Sequence, residues 1–143
     1  MKNIGLLLLS AMAMTVSSSS LVQAQPPYSM PRHVEGKELP QASPAAIATF
    51  DALTTAIIAE NFDGFVALLD DDFKKILTRK LFEEVCAYHT SRFKSGCEVL
   101  YLGEVKQRGM TISIWKMSFA DGGDQTLATL SLQDGKVAGF YLG

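Results

Sequence analysis

Charge of either sign is sparse in this chain, histidine sparser still, and no apolar run is long enough to cross a bilayer. Of 143 residues, 13 are Lys or Arg and 15 are Asp or Glu, for a formal net charge of −2. A mildly acidic chain carries no electrostatic footprint for phosphates, which argues against nucleic acid and anionic membrane as partners. With only 2 His and 2 Cys, the sequence has no Cys-x-x-Cys and no His-Glu-x-x-His. It also lacks Gly-x-Gly-x-x-Gly, a phosphate-binding loop and a Gly-x-Ser-x-Gly nucleophile. The triplet Asp70-Asp71-Asp72 is no cation loop either, since consecutive acids point in different directions and Lys74 and Lys75 follow to neutralise them. No metal and no cofactor is expected.

The longest apolar run lies at the beginning, from Ile4 to Val16 behind a single positive residue, Lys2. At about 13 residues it falls short of the roughly 20 that a membrane span needs. It closes on Ser20-Leu21-Val22-Gln23-Ala24, with small or apolar residues at −3 and −1 of a cut after Ala24. Residues 1–24 therefore read as a secretory signal, and the mature chain, without a membrane span, as exported to the periplasm or the extracellular space. In an oxidising compartment the pair Cys86 and Cys97 is expected to form a disulfide, worth roughly 2–3 kcal/mol by loop closure. Residues 25–42 hold Pro26, Pro27, Pro31 and Pro40 with few aliphatics, the composition of a flexible tether. His33 lies there and is expected to be solvated. Residues 43–143 are the folded domain.

What is abundant is concentrated in the last third, from Cys97 to Leu142. Four runs rich in β-branched, aromatic and aliphatic residues are separated by Gln107-Arg108-Gly109, Asp121-Gly122-Gly123-Asp124 and Asp134-Gly135. That pattern predicts a four-stranded antiparallel meander. Alternation puts Met110, Ile112 and Ile114 on one face and Thr111, Ser113, Trp115, Met117 and Phe119 on the other. Leu127 opposes Ala128, Leu130 and Leu132; Phe140 and Leu142 oppose Val137, Gly139 and Tyr141. On the first strand Glu98 and Glu104 share a phase that Tyr101 does not. Both faces carry apolar side chains, so one is expected to hold helices and the other a ligand, a second subunit or a partner.

Upstream, three helices are predicted. Ser43 caps the first and Pro44 opens it, with Ile47, Phe50, Leu53, Thr54, Ile57 and Ile58 as its inward stripe to about Glu60. Asn61 is expected to absorb the left-handed turn and Asp63 to cap a short second helix carrying Phe65, Val66, Leu68 and Leu69. Asp72 is read as the cap of a turn over Phe73–Leu77. Thr78 caps the third helix, Arg79 to Arg92, with Leu81, Phe82, Val85 and Tyr88 or His89 inward. A turn back through Phe93–Gly96 would then bring Cys86 beside Cys97, so that the bridge staples helix to sheet.

The corner Asn61-Phe62-Asp63-Gly64-Phe65, within the segment Phe50–Leu69, and the close Leu132-Gln133-Asp134-Gly135-Lys136-Val137-Ala138-Gly139-Phe140 carry a resemblance. Over about Ser43 to Leu142 the chain resembles the nuclear-transport-factor-2-like superfamily, specifically its small exported members of uncharacterised function. The resemblance implies an α+β cone, three N-terminal helices on a curved four-stranded antiparallel meander around a pocket. Some members use that pocket as isomerases or cyclases; others only bind a ligand or pair through their sheets, and fold does not choose between these.

The isomerase-like members need a carboxylate base facing a hydrogen-bond donor, and no such set is matched here. No catalytic residue is assigned. Trp115, Met117, Phe119, Tyr101 and Tyr141 are the candidate pocket lining, and the expected function is binding a small apolar ligand or a protein partner. Homodimerisation through the uncovered sheet face is expected alongside it. Two alternatives stand beside this reading. One is an isomerase or cyclase with Glu98 or His89 as base; the other is an envelope inhibitor or immunity-type protein.

Overall fold

The structure, a computed structural model, describes residues 39–143; the expected signal at 1–24 and most of the expected tether lie outside the described residues. Four helices precede four strands: α1 Pro44–Ile58, α2 Phe62–Val66, α3 Asp71–Ile76, α4 Arg79–Ser95, then β1 Cys97–Gln107, β2 Met110–Phe119, β3 Thr126–Gln133 and β4 Lys136–Leu142. The class is α+β, with an open antiparallel sheet in the order β1-β2-β3-β4. No helix among the described residues is long and apolar enough to cross a membrane.

The caps explain where the helices begin, and two differ from expectation. Ser43 and Thr78 cap α1 and α4 as their sequences predict, accepting from the backbone N–H of Ala46 (3.2 Å) and Leu81 (3.1 Å). The cap of α2 is Asn61, whose Oδ1 accepts from Gly64 N–H at 3.0 Å, and Asp63 falls inside the first turn. The left-handed residue before it is Glu60, at φ 52°. The turn expected over Phe73–Leu77 is a helix in its own right. Asp70, not Asp72, caps it by accepting from Phe73 N–H at 2.7 Å. Each side chain accepts from a donor the helix cannot satisfy itself. Lys74 and Lys75 pair with Asp71 and Asp72 across one turn, which leaves those two acids neutralised and solvated while Asp70 serves as the cap.

Both outer hairpins are two-residue turns with two positive φ angles, Arg108-Gly109 and Asp134-Gly135. This is the turn geometry whose twist matches antiparallel strands. Two registers shift within the strands. On β1 the pairing skips Leu102, beside Gly103 at φ 142°, so that Tyr101 faces Trp115 and Glu104 faces Ser113. On β4 it skips Ala138, so that Val137 pairs with Leu132 while Phe140 pairs with Leu130. Each extra residue reverses the alternation beyond it. Glu98 and Glu104 therefore lie on opposite faces, and Glu104 shares the face of Tyr101. Val137 joins Phe140 and Leu142 instead of opposing them. Both are corrections to the simple alternation.

One sheet face is the floor of the core. Ser113, Trp115, Met117 and Phe119 of β2, Ala128 and Leu130 of β3 and Val137 of β4 are buried there against Phe50, Leu53 and Ile57 of α1, Phe65 of α2 and Phe82 and Cys86 of α4. The connection between α2 and α3 is pinned to β4 by a parallel bridge. Val137 N–H donates to Leu68 O at 3.0 Å and Asp70 N–H to Val137 O at 2.9 Å. That covers one edge of the sheet, while β1 forms the other.

Candidate functional site

Trp115 anchors a cleft of mixed polar and apolar lining. Its ring lies 4.6 Å from Phe50 and 5.5 Å from Tyr101, centroid to centroid. Phe50 reaches it from α1, and Tyr101 reaches it by direct cross-strand pairing on β1. The chain before α1 closes the side. Leu39, Pro40, Gln41 and Ala42, with Ile47, Asp51, Val99 and Leu100, complete a cleft of about 350 Å³. These four residues belong to the expected tether, and Pro40 lies beside the bulge at Gly103. The volume is at the small end of ligand sites, which run roughly 300–1,000 Å³ and pair apolar walls with a few polar groups. Here the polar groups are the Asp51 carboxylate, the Gln41 amide and the Tyr101 hydroxyl. Ile47, expected in the core stripe, instead sits exposed on the rim. Ala46 and Ala56 take its place inward.

A second groove, about 280 Å³, opens between α3, α4 and β4. Phe65, Phe73, Leu77, Leu81, Phe82, Val85, Phe140, Tyr141 and Leu142 line it. Apart from the Tyr141 hydroxyl, it holds no polar side chain. Leu81, expected inward on the last helix, is exposed, and of the pair Tyr88 or His89 it is His89 that is buried.

The five candidate lining residues are thus not brought together. Tyr101 and Trp115 meet in the first cleft. Met117 is fully buried core, and Phe119 packs against Phe93 at 5.6 Å. Tyr141 lies on the opposite edge strand, 63 % exposed, at the second groove. Two-residue periodicity identified the inward row correctly, but most of that row is filled by the helices.

The two candidate bases fall outside both clefts. Glu98 pairs with Ser118 on the uncovered side and lines a depression of about 330 Å³ with Cys97, Ser118 and Phe119. His89 is 5 % exposed and lines none of these clefts; its Nδ1 has no hydrogen-bond partner among the described residues. Burial first, and the Arg92 cation second, hold the imidazole below the usual histidine range. It is a neutral side chain packed beside Tyr88 and Phe93.

The cysteines are free thiols, not a bridge. The last helix runs on to Ser95 instead of turning back after Arg92. From Cys86 to Ser95 the helix rises about 14 Å, which carries the start of β1 away from Cys86. Burial pushes both thiols up, with Glu60 and Glu83 adding to the effect at Cys86. Neither is therefore a thiolate nucleophile near neutral pH. Among the described residues no group of three His, Cys, Asp or Glu side chains is placed to hold a metal ion.

Sequence reasoning missed the residue that ties the helices to the sheet. Arg92 Nε donates to Asp121 Oδ2 at 2.9 Å, its Nη atoms to Asp124 O and Thr126 Oγ1, and its guanidinium stands 4.1 Å over the Phe119 ring. The hydrogen bonds from Gly123 N–H and from Arg92 hold the Asp121 carboxyl below its ordinary range. Thr90, also unforeseen, donates to Ile57 O at 3.1 Å, joining α4 to the end of α1. Asp51, too, carries little mark in the sequence, where it is an ordinary exposed residue of a helix. The spacing of four between Ile47 and Asp51 was its one available signal, since it places both on one rim.

No protein-family model matches the chain, and no curated protein sequence matches it.

Proposed function

We propose that this is an exported binding domain of the nuclear-transport-factor-2-like type, which takes a small, largely apolar molecule in the cleft floored by Trp115. One observation carries the reading. The aromatic side chains of Phe50, Tyr101 and Trp115 converge on a cleft with three polar groups at its margin, while no candidate base points into it. Support for the fold type comes from the order of helices then meander, and from bulges on β1 and β4 of the kind that bend strands. Support for export comes from the sequence of residues 1–24. An isomerase or cyclase reading is less favoured, because neither Glu98 nor His89 lines the Trp115 cleft, and Glu98 instead faces the open depression beside Ser118.

Trp115 is the only tryptophan, so its emission reports on the cleft directly. Small soluble aromatics are expected to change that emission saturably, with Tyr101→Ala weakening binding several-fold. A panel of aromatic alcohols, amines and acids that leaves Trp115 unchanged at millimolar concentration would overturn the proposal.

A second reading, pairing with a copy of itself through the sheet, is favoured by a separate observation. Leu100, Val105, Ile112, Ile114, Leu127 and Tyr141 share the face that no helix among the described residues covers.

A further inference from the structure

We infer that the ligand of the Trp115 cleft is an organic cation, an ammonium group carried on a small apolar or aromatic body. The inference rests on the binding reading above and narrows it to one chemical class. Among the described residues Asp51 supplies the only formal charge on the lining, and no described Lys, Arg or His contributes to it. The carboxylate is exposed on α1 and makes no ion pair with any described residue. It is thus an acid without an internal cation, unlike Asp71, Asp72 and Asp121, each of which has one.

The remaining polarity of the cleft has the same sign. Phe50 and Trp115 are buried against each other in the floor, Tyr101 is the half-buried ring beside them, and an aromatic face carries the negative part of its quadrupole. A cation within about 6 Å of such a ring is attracted to it, most strongly to Trp. Carboxylate and rings therefore favour one charge together. An anion would meet repulsion from both, and a neutral molecule would gain only from burying its apolar surface. The Tyr101 hydroxyl and the Gln41 amide can accept from an ammonium N–H. An open, partly hydrated cleft moderates each contribution, so the two together correspond to about tenfold in affinity.

The test compares three molecules of similar size by titration of Trp115 emission: phenethylamine, 2-phenylethanol and 3-phenylpropionate. The amine is expected to bind about tenfold more tightly than the alcohol at low salt, and the acid most weakly. Added salt should compress the amine's advantage, since the charges are exposed. Asp51→Asn should bring amine and alcohol close together; because Asp51 is solvent-exposed, the variant keeps the wild-type circular dichroism and melting temperature. Equal binding of amine and alcohol to the wild type overturns the cation inference and leaves the binding reading in place. So does a preference that survives Asp51→Asn. No saturable response to any of the three overturns both.

Discussion

The two faces of the sheet are built from similar residues and are treated in opposite ways. On the inward face Trp115, Met117, Ala128, Leu130 and Val137 vanish beneath the helices. On the outward face Leu100, Val105 and Leu127 are exposed, Ile112 and Ile114 half-buried, and Lys116, Thr129 and Ser131 are interspersed among them. Apolar content alone does not distinguish the faces. What does is the presence of α1 and α4, held down by Thr90 on Ile57 and by Arg92 on the β2–β3 connection. An inward side chain is therefore fixed by many partners, an outward one by its cross-strand neighbours alone.

The largest expected effect comes from breaking the inward packing. Phe50 is buried and touches both Trp115 and Phe140 through its ring. Phe50→Ala should cost about 3–5 kcal/mol, as deletion of a buried aromatic leaves a cavity that collapses only partly. Against a total stability of roughly 5–15 kcal/mol, the loss would show as a large fall in the urea midpoint. A cost below about 1 kcal/mol would mean that α1 is not firmly seated on the sheet. The loss of the contact between Phe50 and Trp115 should also red-shift the emission of the native state.

The boundary between the faces was legible wherever the alternation ran unbroken. Ser113, Trp115, Met117 and Phe119 were placed on one face of β2 by period alone, and both Gly-containing hairpins were found from their turn residues. Errors entered where one residue is looped out. Leu102 reverses the phase of Glu104, and Ala138 reverses that of Val137. A glycine stands next to each bulge, Gly103 and Gly139, and an isolated glycine in a strand pattern is itself a bulge signal. The caps Asn61 and Asp70 are not distinguished in the sequence from nearby Asp63 and Asp72, because Asn and Asp both suit the position. Choosing among them needs the tertiary bridge from Leu69 to Val137 that fixes where α2 and α3 meet. The Arg92 anchor lay beyond reach altogether, since its partners Asp121, Asp124 and Thr126 are about thirty residues away and nothing local marks them. Tyr101 and Trp115 are each legible as lining; that Asp51 joins them in one cleft depends on how α1 crosses the sheet.

A smaller effect tests how dry the inward side is. His89 is buried on α4 beside Tyr88 and Phe93, its Nδ1 without a partner among the described residues, and burial keeps it neutral. Because its folded pKa is depressed, the unfolded chain takes up a proton that the native state refuses as pH falls below about 6.5. Stability should therefore decline on going from pH 7 to pH 5 and recover on return. The carboxylates Asp72 and Asp121 have depressed values too, but they protonate only at lower pH and leave this window clear. His89→Phe should flatten the decline. If wild type and variant lose stability in parallel over that range, His89 is hydrated in the native state and the inward face is wetter than its burial implies.

The smallest effect on stability, and the sharpest contrast between the faces, is expected on the outward side. Ile114 pairs with Gly103 and Thr129, and Tyr141 lies one strand beyond on the same row. With no helix among the described residues above it, Ile114→Lys removes only cross-strand contacts and should change the unfolding free energy by no more than about 0.5 kcal/mol. If the face instead pairs with a second copy, the same lysine is repeated across a two-fold axis and meets its own like charge there. Sedimentation at micromolar concentration would then find a dimer for the wild type and a monomer for Ile114→Lys, with little change in the monomer's melt. A wild-type monomer would mean that the outward row is tolerated exposure. The value of the measurement is that stability and association separate: on the inward face one substitution moves both, whereas on the outward face it can move association alone.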